Sequence, residues 1–376
     1  MRISPRTWRL TAYTTGGILV FFIMVSGGGL LYLSKNPAGA ATFTDNVLRP
    51  LIGDKAVISL EGAVFGLQDR IKRHLGHLPD TTAYAVDVKT VPVPTTEPLA
   101  ASTPDPNPPP TPITPIIDIT HPLAGEGVWR GIAGTPLFTT FIRTDQERPF
   151  AVVNLVEIPS KLVGINEVAG TKYPGGAPGP GKVPQAIQDS GRLIAAFNGG
   201  FQGKDGHYGM YADGTTYVPF RKGLSIFLIY ADGHTELTTY EGTPLPSDVI
   251  AARQNGPLLV INGKTAQNTS HGIDLWAGTA AGGYVTWRSG LGVTADGDLV
   301  YAVGPSLTPT SLADALRLAG SQNAMQLDIN DFWVRFMVYD YTGGGYTWSP
   351  LVKGLTDGGK AYLHGYEKDF FYLYTK

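Results

Sequence analysis

Two carboxylates and an amide lie within four residues of one another, at Asp328, Asn330 and Asp331. Cleaving a bond at an anomeric carbon requires a carboxyl group as acid, base or nucleophile. The apolar residues 324–327 predict a short strand that ends at Asp328. Because side chains alternate along a strand, Asp328 and Asn330 would share one face and Asp331 the other. This pattern favours Asp328 as the single catalytic carboxylate, with Asn330 and Asp331 near the substrate. An Asx-type turn without chemistry is the alternative interpretation.

A candidate anion-binding residue is Arg288, in Arg288-Ser289-Gly290 before the apolar residues 291–294. A guanidinium at the mouth of a sheet can hold a phosphate through two parallel hydrogen bonds. We therefore predict a catalytic role for Arg288 and substrate contact for Ser289. The alternative for Arg288 is an ordinary surface ion pair.

A glycine-rich loop, Asn198-Gly199-Gly200, follows the apolar residues 193–197. Backbone N–H groups of consecutive glycines can converge on an anion, and the missing side chains let a ligand approach closely. The loop is therefore predicted to bind substrate, with a tight turn as the alternative.

Four other residues are candidate substrate ligands. The amides of Gln254 and Asn255, followed by Gly256, suit hydrogen bonds to sugar hydroxyls. His207 lies between glycines, where it would donate a proton or bind phosphate, or would simply be a surface residue.

The order of these motifs along the chain is more specific than any one motif. In sequence they are Asn-Gly-Gly-Phe at 198–201, Gly-Met-Tyr-Ala-Asp-Gly at 209–214, Gln-Asn-Gly-Pro-Leu at 254–258, Arg-Ser-Gly-Leu-Gly at 288–292, a Leu-Ala-rich helix, and Leu-Asp at 327–328. This series resembles the phosphodiester glycosidase family over about residues 128–376.

The resemblance implies hydrolysis of a sugar-1-phosphodiester, which releases the sugar and leaves a phosphomonoester. Asn198, Gly199 and Gly200 match the family's Asn-Gly-Gly loop, Arg288 its strand-opening arginine, and Asp328 the aspartate of its Leu-Asp-Gly-Gly-Gly-Ser motif. Here Ile-Asn-Asp-Phe at 329–332 replaces Gly-Gly-Gly-Ser. Bulky side chains do not follow a glycine path of positive φ cheaply, so we expect a reshaped pocket floor.

The alternative function is a non-catalytic domain that binds or scaffolds a glycan of the cell envelope. Four aromatic residues near the altered motif would stack on sugar rings in that case, or else form core: Phe332, Trp333, Phe336 and Tyr339.

Turn signals between apolar runs predict the fold that must position these residues. Asp232-Gly233, Asn262-Gly263 and Asp296-Gly297 supply the positive φ angles that tight hairpins require. One helix is predicted from Ser311, with Asp314 completing a capping box and Gly320 ending it. The predicted class is α+β, a single β-rich mixed-sheet domain with a few helices over residues 116–376.

The N-terminus predicts a membrane anchor. Three arginines precede residues 10–34, a run of 25 residues without charge, and Lys35 closes it. As a helix this run spans about 37 Å, enough to cross a bilayer core. Residues 1–9 would be cytoplasmic and the rest of this single-pass protein extracytoplasmic, at the cell membrane. A cleaved signal peptide is the alternative, since small residues occupy 38–40.

Two segments separate this anchor from the domain. Residues 35–90 form a juxtamembrane region in which 54–75 predict an amphipathic helix with a heptad-like apolar seam, suited to weak self-association or to lying on the bilayer. Residues 91–115 predict an extended linker, because 10 of the 24 residues at 92–115 are proline.

Composition excludes several function classes. A net charge of −2 argues against nucleic-acid binding, and the lack of cysteine rules out disulfides and thiolate metal sites. Seven histidines without HxxxH spacing argue against a dedicated zinc site. We predict no metal and no cofactor, with a carbohydrate or glycan phosphate as the substrate.

Overall fold

The computed structural model describes residues 69–75, 84–90, 107–114, 123–203, 206–270, 285–330 and 332–376. All of them lie in one compact unit formed by residues 69–277 and 284–376. The predicted membrane span, residues 10–34, lies outside the described residues, as does most of the predicted amphipathic helix. Within the described part of the chain, no helix has the length and apolar character needed to cross a membrane.

Three antiparallel sheets make up the fold. The first sheet has nine strands, in the spatial order β1 (Val88–Thr90), β2 (Arg130–Ile132), β3 (Phe138–Ile142), β4 (Val153–Ile158), β15 (Leu299–Leu307), β14 (Thr286–Thr294), β16 (Ser321–Ile329), β12 (Leu258–Ile261) and β13 (Lys264–Thr265). The second has the order β10 (Thr235–Thr239), β9 (Ser225–Tyr230), β11 (Val249–Gln254), β7 (Met210–Ala212) and β8 (Thr215–Val218). The third has the order β18 (Gly345–Pro350), β17 (Phe336–Thr342), β6 (Leu193–Asn198), β19 (Phe370–Thr375) and β5 (Val163–Val168).

The β-rich architecture with few helices is confirmed, but the sheets are not mixed. Every strand pairing among the described residues is antiparallel. Hairpin turns explain much of this, because a two-residue turn reverses the chain and leaves its strands antiparallel. The predicted hairpins at Asp232-Gly233 and Asp296-Gly297 join β9 to β10 and β14 to β15. Asn262-Gly263 joins β12 to β13 with both residues at positive φ.

A chain of aromatic rings packs the three sheets against one another. The Phe197 ring of β6 lies 4.8 Å from that of Tyr301 in β15 and 5.3 Å from that of Phe371 in β19. Phe371 in turn meets Phe227 of β9 at 5.8 Å. Because these strands come from all three sheets, their inner faces share one hydrophobic core.

Helices α1 (Gln185–Asp189), α2 (Pro309–Leu318) and α3 (Gly359–His364) lie on this framework. Helix α2 buries Leu312 and Leu316 against the first sheet. It begins earlier than the sequence predicts, because Thr308 is the N-cap and forms the reciprocal capping box with Ser311. The predicted partner Asp314 instead accepts a hydrogen bond from Thr265 at 2.6 Å. The predicted stop at Gly320 is confirmed by its positive φ of 90° just beyond the helix.

The folded unit includes residues upstream of Ile116, where the sequence predicts its start. Strand β1 pairs with β2 at the edge of the first sheet. In the helical residues 69–75, Asp69 accepts two hydrogen bonds from Arg148, at 2.8 and 2.9 Å. Part of the proline-rich segment also contacts the domain, because the Trp129 indole donates to the Thr111 carbonyl at 3.1 Å. Residues 91–106 of the predicted linker lie outside the described residues.

Candidate functional site

The centre of the candidate site is a buried ion pair between Asp328 and Lys368. Strand β16 carries Asp328 as its penultimate residue, and Lys368 lies two residues before β19 begins. The Lys368 ammonium donates to Asp328 Oδ2, while the Ile329 N–H donates to Oδ1 at 2.9 Å. Both side chains are only 4–5% exposed. The pair therefore joins the first sheet to the third at the end of two central strands.

Two opposing influences set the charge of Asp328. Burial raises its pKa to about 6, and the Lys368 ammonium opposes that rise. The nearby Asp369 carboxylate adds to the effect of burial, and the value of about 6 is the net result. A carboxyl group with a pKa near 6 exchanges a proton close to neutral pH, which suits a general acid or base.

The Asn198-Gly199-Gly200 loop binds a carboxylate, but the carboxylate belongs to the protein. The Gly200 N–H donates to Asp369 Oδ2 at 2.9 Å, and the Gly199 N–H donates to the Asp369 carbonyl at 3.1 Å. A Cβ at residue 199 would collide with Asp369, and one at residue 200 would lie 2.9 Å from the Arg253 guanidinium. Glycine is needed here because Asp369 and Arg253 approach the backbone closely. The N–H groups of residues 199 and 200 both donate to Asp369, so neither is free to bind a substrate anion as the sequence predicts.

Arg253, at the end of β11, holds this arrangement together from the second sheet. Its Nε donates to Asp369 Oδ2 at 2.9 Å, and its two terminal nitrogens donate to the carbonyls of Gln254 and Phe201, each at 2.7 Å. The side chain is completely buried. A guanidinium that bridges a carboxylate and two carbonyls fixes the glycine loop relative to Asp369.

A second buried carboxyl, Glu167 of β5, faces the same guanidinium. Its Oε1 lies 3.6 Å from Arg253 Nε, and neither carboxyl oxygen has a hydrogen-bond partner. Burial raises the pKa of Glu167 well above its usual range, Arg253 opposes that effect, and Asp369 adds to it. Asp369, hydrogen bonded to Arg253 Nε at 2.9 Å, is therefore the closer carboxyl partner of this guanidinium.

Asn198 connects the site to two neighbouring strands. Its amide nitrogen donates to Ser289 Oγ at 2.9 Å, and Ser289 Oγ donates to the Asp328 carbonyl at 2.8 Å. Its amide oxygen accepts from the Tyr301 hydroxyl at 2.9 Å and from the Arg335 N–H at 3.1 Å. The Asp328 N–H also donates to the Gly199 carbonyl at 3.0 Å. One hydrogen-bond network therefore joins four of the predicted residues: Asn198, Gly199, Ser289 and Asp328.

Arg288 is buried within the first sheet and is held by the protein itself. Its Nε donates to the Leu307 carbonyl at 3.1 Å, and its Nη1 donates to the Gln326 side chain at 2.6 Å. The residue is 1% exposed. These contacts account for its burial without a bound anion, so its predicted catalytic role gains no support from its surroundings.

The amides of Gln254 and Asn255 are likewise used inside the protein. Gln254 Oε1 accepts from the N–H groups of Gly209 and Arg221, at 3.2 and 2.8 Å. Asn255 Nδ2 donates to two carbonyls of β16, at 2.6 and 3.1 Å. The Gly256 carbonyl accepts from Ser225 Oγ at 2.6 Å. Their contacts indicate that these residues position β11 and β16 around the site.

The remaining predicted residues differ in their placement. His207 is exposed at a turn with a φ of 52°. Asn330 follows β16 with a φ of 75°, so the strand ends before it and the expected sharing of a face with Asp328 does not hold. Asparagine tolerates this left-handed conformation, which is how the altered motif turns without its glycines. Asp331 lies outside the described residues.

Sequence patterns missed the partners that complete the site: Glu167, Arg253, Arg335, Lys368 and Asp369. Arg253 directly precedes the Gln-Asn-Gly-Pro motif, so its position was available as a signal. Lys368-Asp369 precedes the apolar run of β19, but Lys368 is 40 residues from Asp328, and Asp369 is 116 residues from Arg253. No local spacing reveals pairs this distant. In the described portion of the chain, no group of three histidine, aspartate or glutamate residues could hold a metal ion.

The fold and site define a β-rich domain with a buried carboxyl–ammonium pair, and part of its sequence has known relatives. Residues 191–328 match the model of the phosphodiester glycosidase family. This match confirms the resemblance described above and spans Asn198 to Asp328. Among curated proteins, none matches this chain.

Solved structures that are similar to this chain include the following two. One is the catalytic domain of zebrafish N-acetylglucosamine-1-phosphodiester alpha-N-acetylglucosaminidase, auto-inhibited by its pro-peptide. It shares 16% identity over 65% of this chain and 85% of that chain, with a TM-score of 0.41. The other is a hypothetical protein from Synechocystis, with 13% identity over 66% of this chain and 62% of that chain and a TM-score of 0.32.

Proposed function

We propose that this protein hydrolyses a sugar-1-phosphodiester, releasing the free sugar and a phosphomonoester. The observation that carries the proposal is the buried Asp328–Lys368 pair, within the network that contains Asn198 and Gly199. The family match over residues 191–328 supports the same substrate class.

In the proposed reaction Asp328 acts as the general acid. Hydrolysis breaks the bond between the anomeric carbon and the phosphate oxygen, adds a water-derived hydroxyl to the carbon and adds a proton to the departing oxygen. With a pKa raised to about 6, Asp328 holds a proton that it can donate to that oxygen. The Lys368 ammonium lowers the pKa of Asp328 and so favours its charged form, which lets the carboxyl lose that proton as well.

Turnover by the full chain tests the function. Wild-type protein is incubated with a sugar-1-phosphodiester and with a plain glycoside, and released sugar and phosphomonoester are measured. We expect turnover of the phosphodiester and a loss of about 10²–10⁴-fold in kcat for Asp328→Asn, the usual contribution of general acid–base catalysis. The matched control is Asp340→Asn, which removes an exposed carboxylate from β17. No phosphodiester turnover by folded wild-type protein would refute the proposal.

The second candidate function is glycan binding without catalysis, and two aromatic residues favour it. Phe332 and Trp333 are partly exposed after Asp328, with ring centroids 4.5 Å apart, and Lys368 Nζ lies 4.3 Å from the Trp333 ring. Phe336 and Tyr339, the other aromatics proposed from the sequence, are buried in the core. Saturable glycan binding without release of sugar would favour this second function.

We also propose that residues 10–34 anchor the protein in the cell membrane with the domain outside the cytoplasm, where an envelope glycan would be its substrate. The uncharged run after three arginines supports this placement. Recovery of the full-length chain in the soluble fraction of cells would contradict the anchor.

A further inference from the structure

Arg335 differs from the other buried arginines of the described chain. Arg143, Arg148 and Arg253 each bond a carboxylate, at 2.6, 2.8 and 2.9 Å, and Arg288 bonds the Gln326 side chain. Arg335 is 6% exposed, but among the described residues no carboxylate lies within ion-pair distance of its guanidinium. Its Nε has no hydrogen-bond partner, and its Nη2 reaches only the Phe332 carbonyl at 3.5 Å.

The immediate surroundings of Arg335 are aromatic rather than acidic. Its guanidinium carbon lies 4.7 Å from the Tyr366 ring centroid and 5.9 Å from that of Phe332. Gly358 packs against the same group, and a Cβ there would lie 2.6 Å from Arg335 Nη1. Burying a charge without an ionic partner is unfavourable, and contacts with aromatic rings offset only part of that cost. Arg335 therefore presents a guanidinium for which the described residues supply no anion.

Two buried hydroxyls without partners lie near this guanidinium. The Tyr362 and Tyr366 rings are 5.3 Å apart at an angle of 88°, and neither hydroxyl has a hydrogen-bond partner. Burial raises the pKa of both hydroxyls, and the Arg335 charge opposes the rise, so both are within its electrostatic reach. The Asp328 charge acts on both hydroxyls as well. Three unsatisfied donors thus occupy the neighbourhood of the proposed acid.

The backbone of Arg335 is tied to the same network as Asp328. The Asn198 N–H donates to the Arg335 carbonyl at 3.2 Å, and the Arg335 N–H donates to Asn198 Oδ1 at 3.1 Å. Asn198 reaches Asp328 through Ser289. The position of Arg335 is thereby fixed relative to the carboxyl that acts on the substrate.

We propose that Arg335, with the hydroxyls of Tyr362 and Tyr366, binds the phosphate oxygens of the diester next to Asp328. This inference rests on the proposed function and names the residues that recognise its substrate. Guanidinium N–H groups can donate to both non-bridging oxygens of a phosphodiester at once, and phenol hydroxyls can donate to the remaining lone pairs of those oxygens. Backbone amides of glycine do not hold the phosphate in this chain. Residues 329–332 contain no glycine, and the N–H groups of Gly199 and Gly200 already donate to Asp369. Side chains therefore hold the phosphate.

Phosphate binding by the full chain tests this site without requiring turnover. Inorganic phosphate and dimethyl phosphate are titrated into wild type, Arg335→Gln, Arg335→Lys and Tyr366→Phe by calorimetry. We expect saturable binding by wild type, at least tenfold weaker binding by Arg335→Gln, and smaller losses for the other two variants. The matched control is Arg192→Gln, because Arg192 also stacks on a tyrosine, at 5.5 Å from the Tyr374 ring, but is exposed. Its phosphate binding should be unchanged.

Kinetics separate this site from the rest of the proposed function. For Arg335→Gln we expect the KM for the phosphodiester to rise, whereas for Asp328→Asn we expect kcat to fall. Equal phosphate affinity in wild type and Arg335→Gln, or no saturable phosphate binding by wild type, overturns the inference even if phosphodiesters are hydrolysed. If phosphate binding depends on Arg335 but no phosphodiester is hydrolysed, the phosphate site is supported and the proposed hydrolase function is refuted. If Arg335→Gln does not fold by circular dichroism, Arg335→Lys and Tyr366→Phe decide by the same criteria.

Discussion

Asp328 is a buried carboxyl group beside a lysine, and its pKa lies near neutral pH. Burial raises its pKa, Lys368 and the Ile329 N–H lower it, and the result is a pKa of about 6. Without the Lys368 ammonium in the same place, the pKa of Asp328 would be higher. The sequence identified this residue because it ends an apolar run, but its lysine lies 40 residues further along the chain, just before β19.

The raised pKa makes stability depend on pH in a direction that can be tested. An unfolded aspartate titrates at about pH 3.9, whereas folded Asp328 titrates at about 6. Its contribution to stability is fully present below pH of about 4 and is lost as pH rises through about 6. Because asparagine does not titrate, the unfolding free energy of wild type should fall by about 3 kcal/mol relative to Asp328→Asn over that range.

Denaturant titrations of both proteins at several pH values measure this difference. Glu157, whose pKa is raised to about 7 by burial and by Asp298, titrates in an overlapping range. It is present in both proteins, so its effect cancels in the comparison. A difference in unfolding free energy that stays constant with pH would show that Asp328 does not have a raised pKa.

At the scale of elements, local sequence signals predicted turns and helix ends better than element starts. Each predicted Asp-Gly or Asn-Gly hairpin forms, because positive φ at the turn is a local requirement that glycine and asparagine meet. Helix α2 begins at Pro309 rather than near Ser311, because Thr308 and Ser311 together form the capping box. Thr308 and Ser311, three residues apart, take the N-cap and N3 positions that the sequence suggested for Ser311 and Asp314.

The helical residues 69–75 give an element-scale prediction, because a buried carboxylate in them bonds an arginine of the domain. Asp69 is buried and receives two hydrogen bonds from Arg148. Asp69→Asn should lower the unfolding free energy by about 1–3 kcal/mol, since it removes the charged partner of a buried arginine that keeps Asp145 nearby.

The matched control uses the same arginine with an exposed partner. Glu147 lies 3.6 Å from Arg148 and its side chain is 70% exposed, so Glu147→Gln should change the unfolding free energy by less than about 0.5 kcal/mol. Thermal or denaturant unfolding of the full chain measures both effects. Similar small losses in the two variants would mean that Asp69 does not hold this segment to the domain.

At the scale of the whole molecule, the candidate site lies where strands of three sheets converge. Asp328 comes from the first sheet, Arg253 from the second, and Asn198 from the third, with Asp369 directly before β19. A sequence pattern can predict each strand and turn because these depend on neighbouring residues. It cannot predict the convergence, because pairs such as β4 with β15 join segments more than 130 residues apart and depend on how the sheets pack.

This convergence also explains why some predicted substrate ligands form hydrogen bonds within the protein instead. Arg288, Gln254 and Asn255 have the residue types of a sugar-phosphate site, but each hydrogen bonds another part of the protein. Three sheets meeting at their strand ends leave many backbone groups to satisfy, and buried polar side chains supply those hydrogen bonds. The amides and the guanidinium thus support the site, while Asp328, Lys368 and Arg335 remain to contact substrate in the proposed function.

The position of bond cleavage tests the central claim most directly. Full-length wild-type protein is incubated with a sugar-1-phosphodiester in water enriched in oxygen-18, and the sugar and phosphomonoester are analysed by mass spectrometry. A glycosidase whose acid is Asp328 breaks the bond at the anomeric carbon, so the label should enter the sugar and be absent from the phosphomonoester. Label in the phosphomonoester would show attack at phosphorus and contradict the proposed reaction.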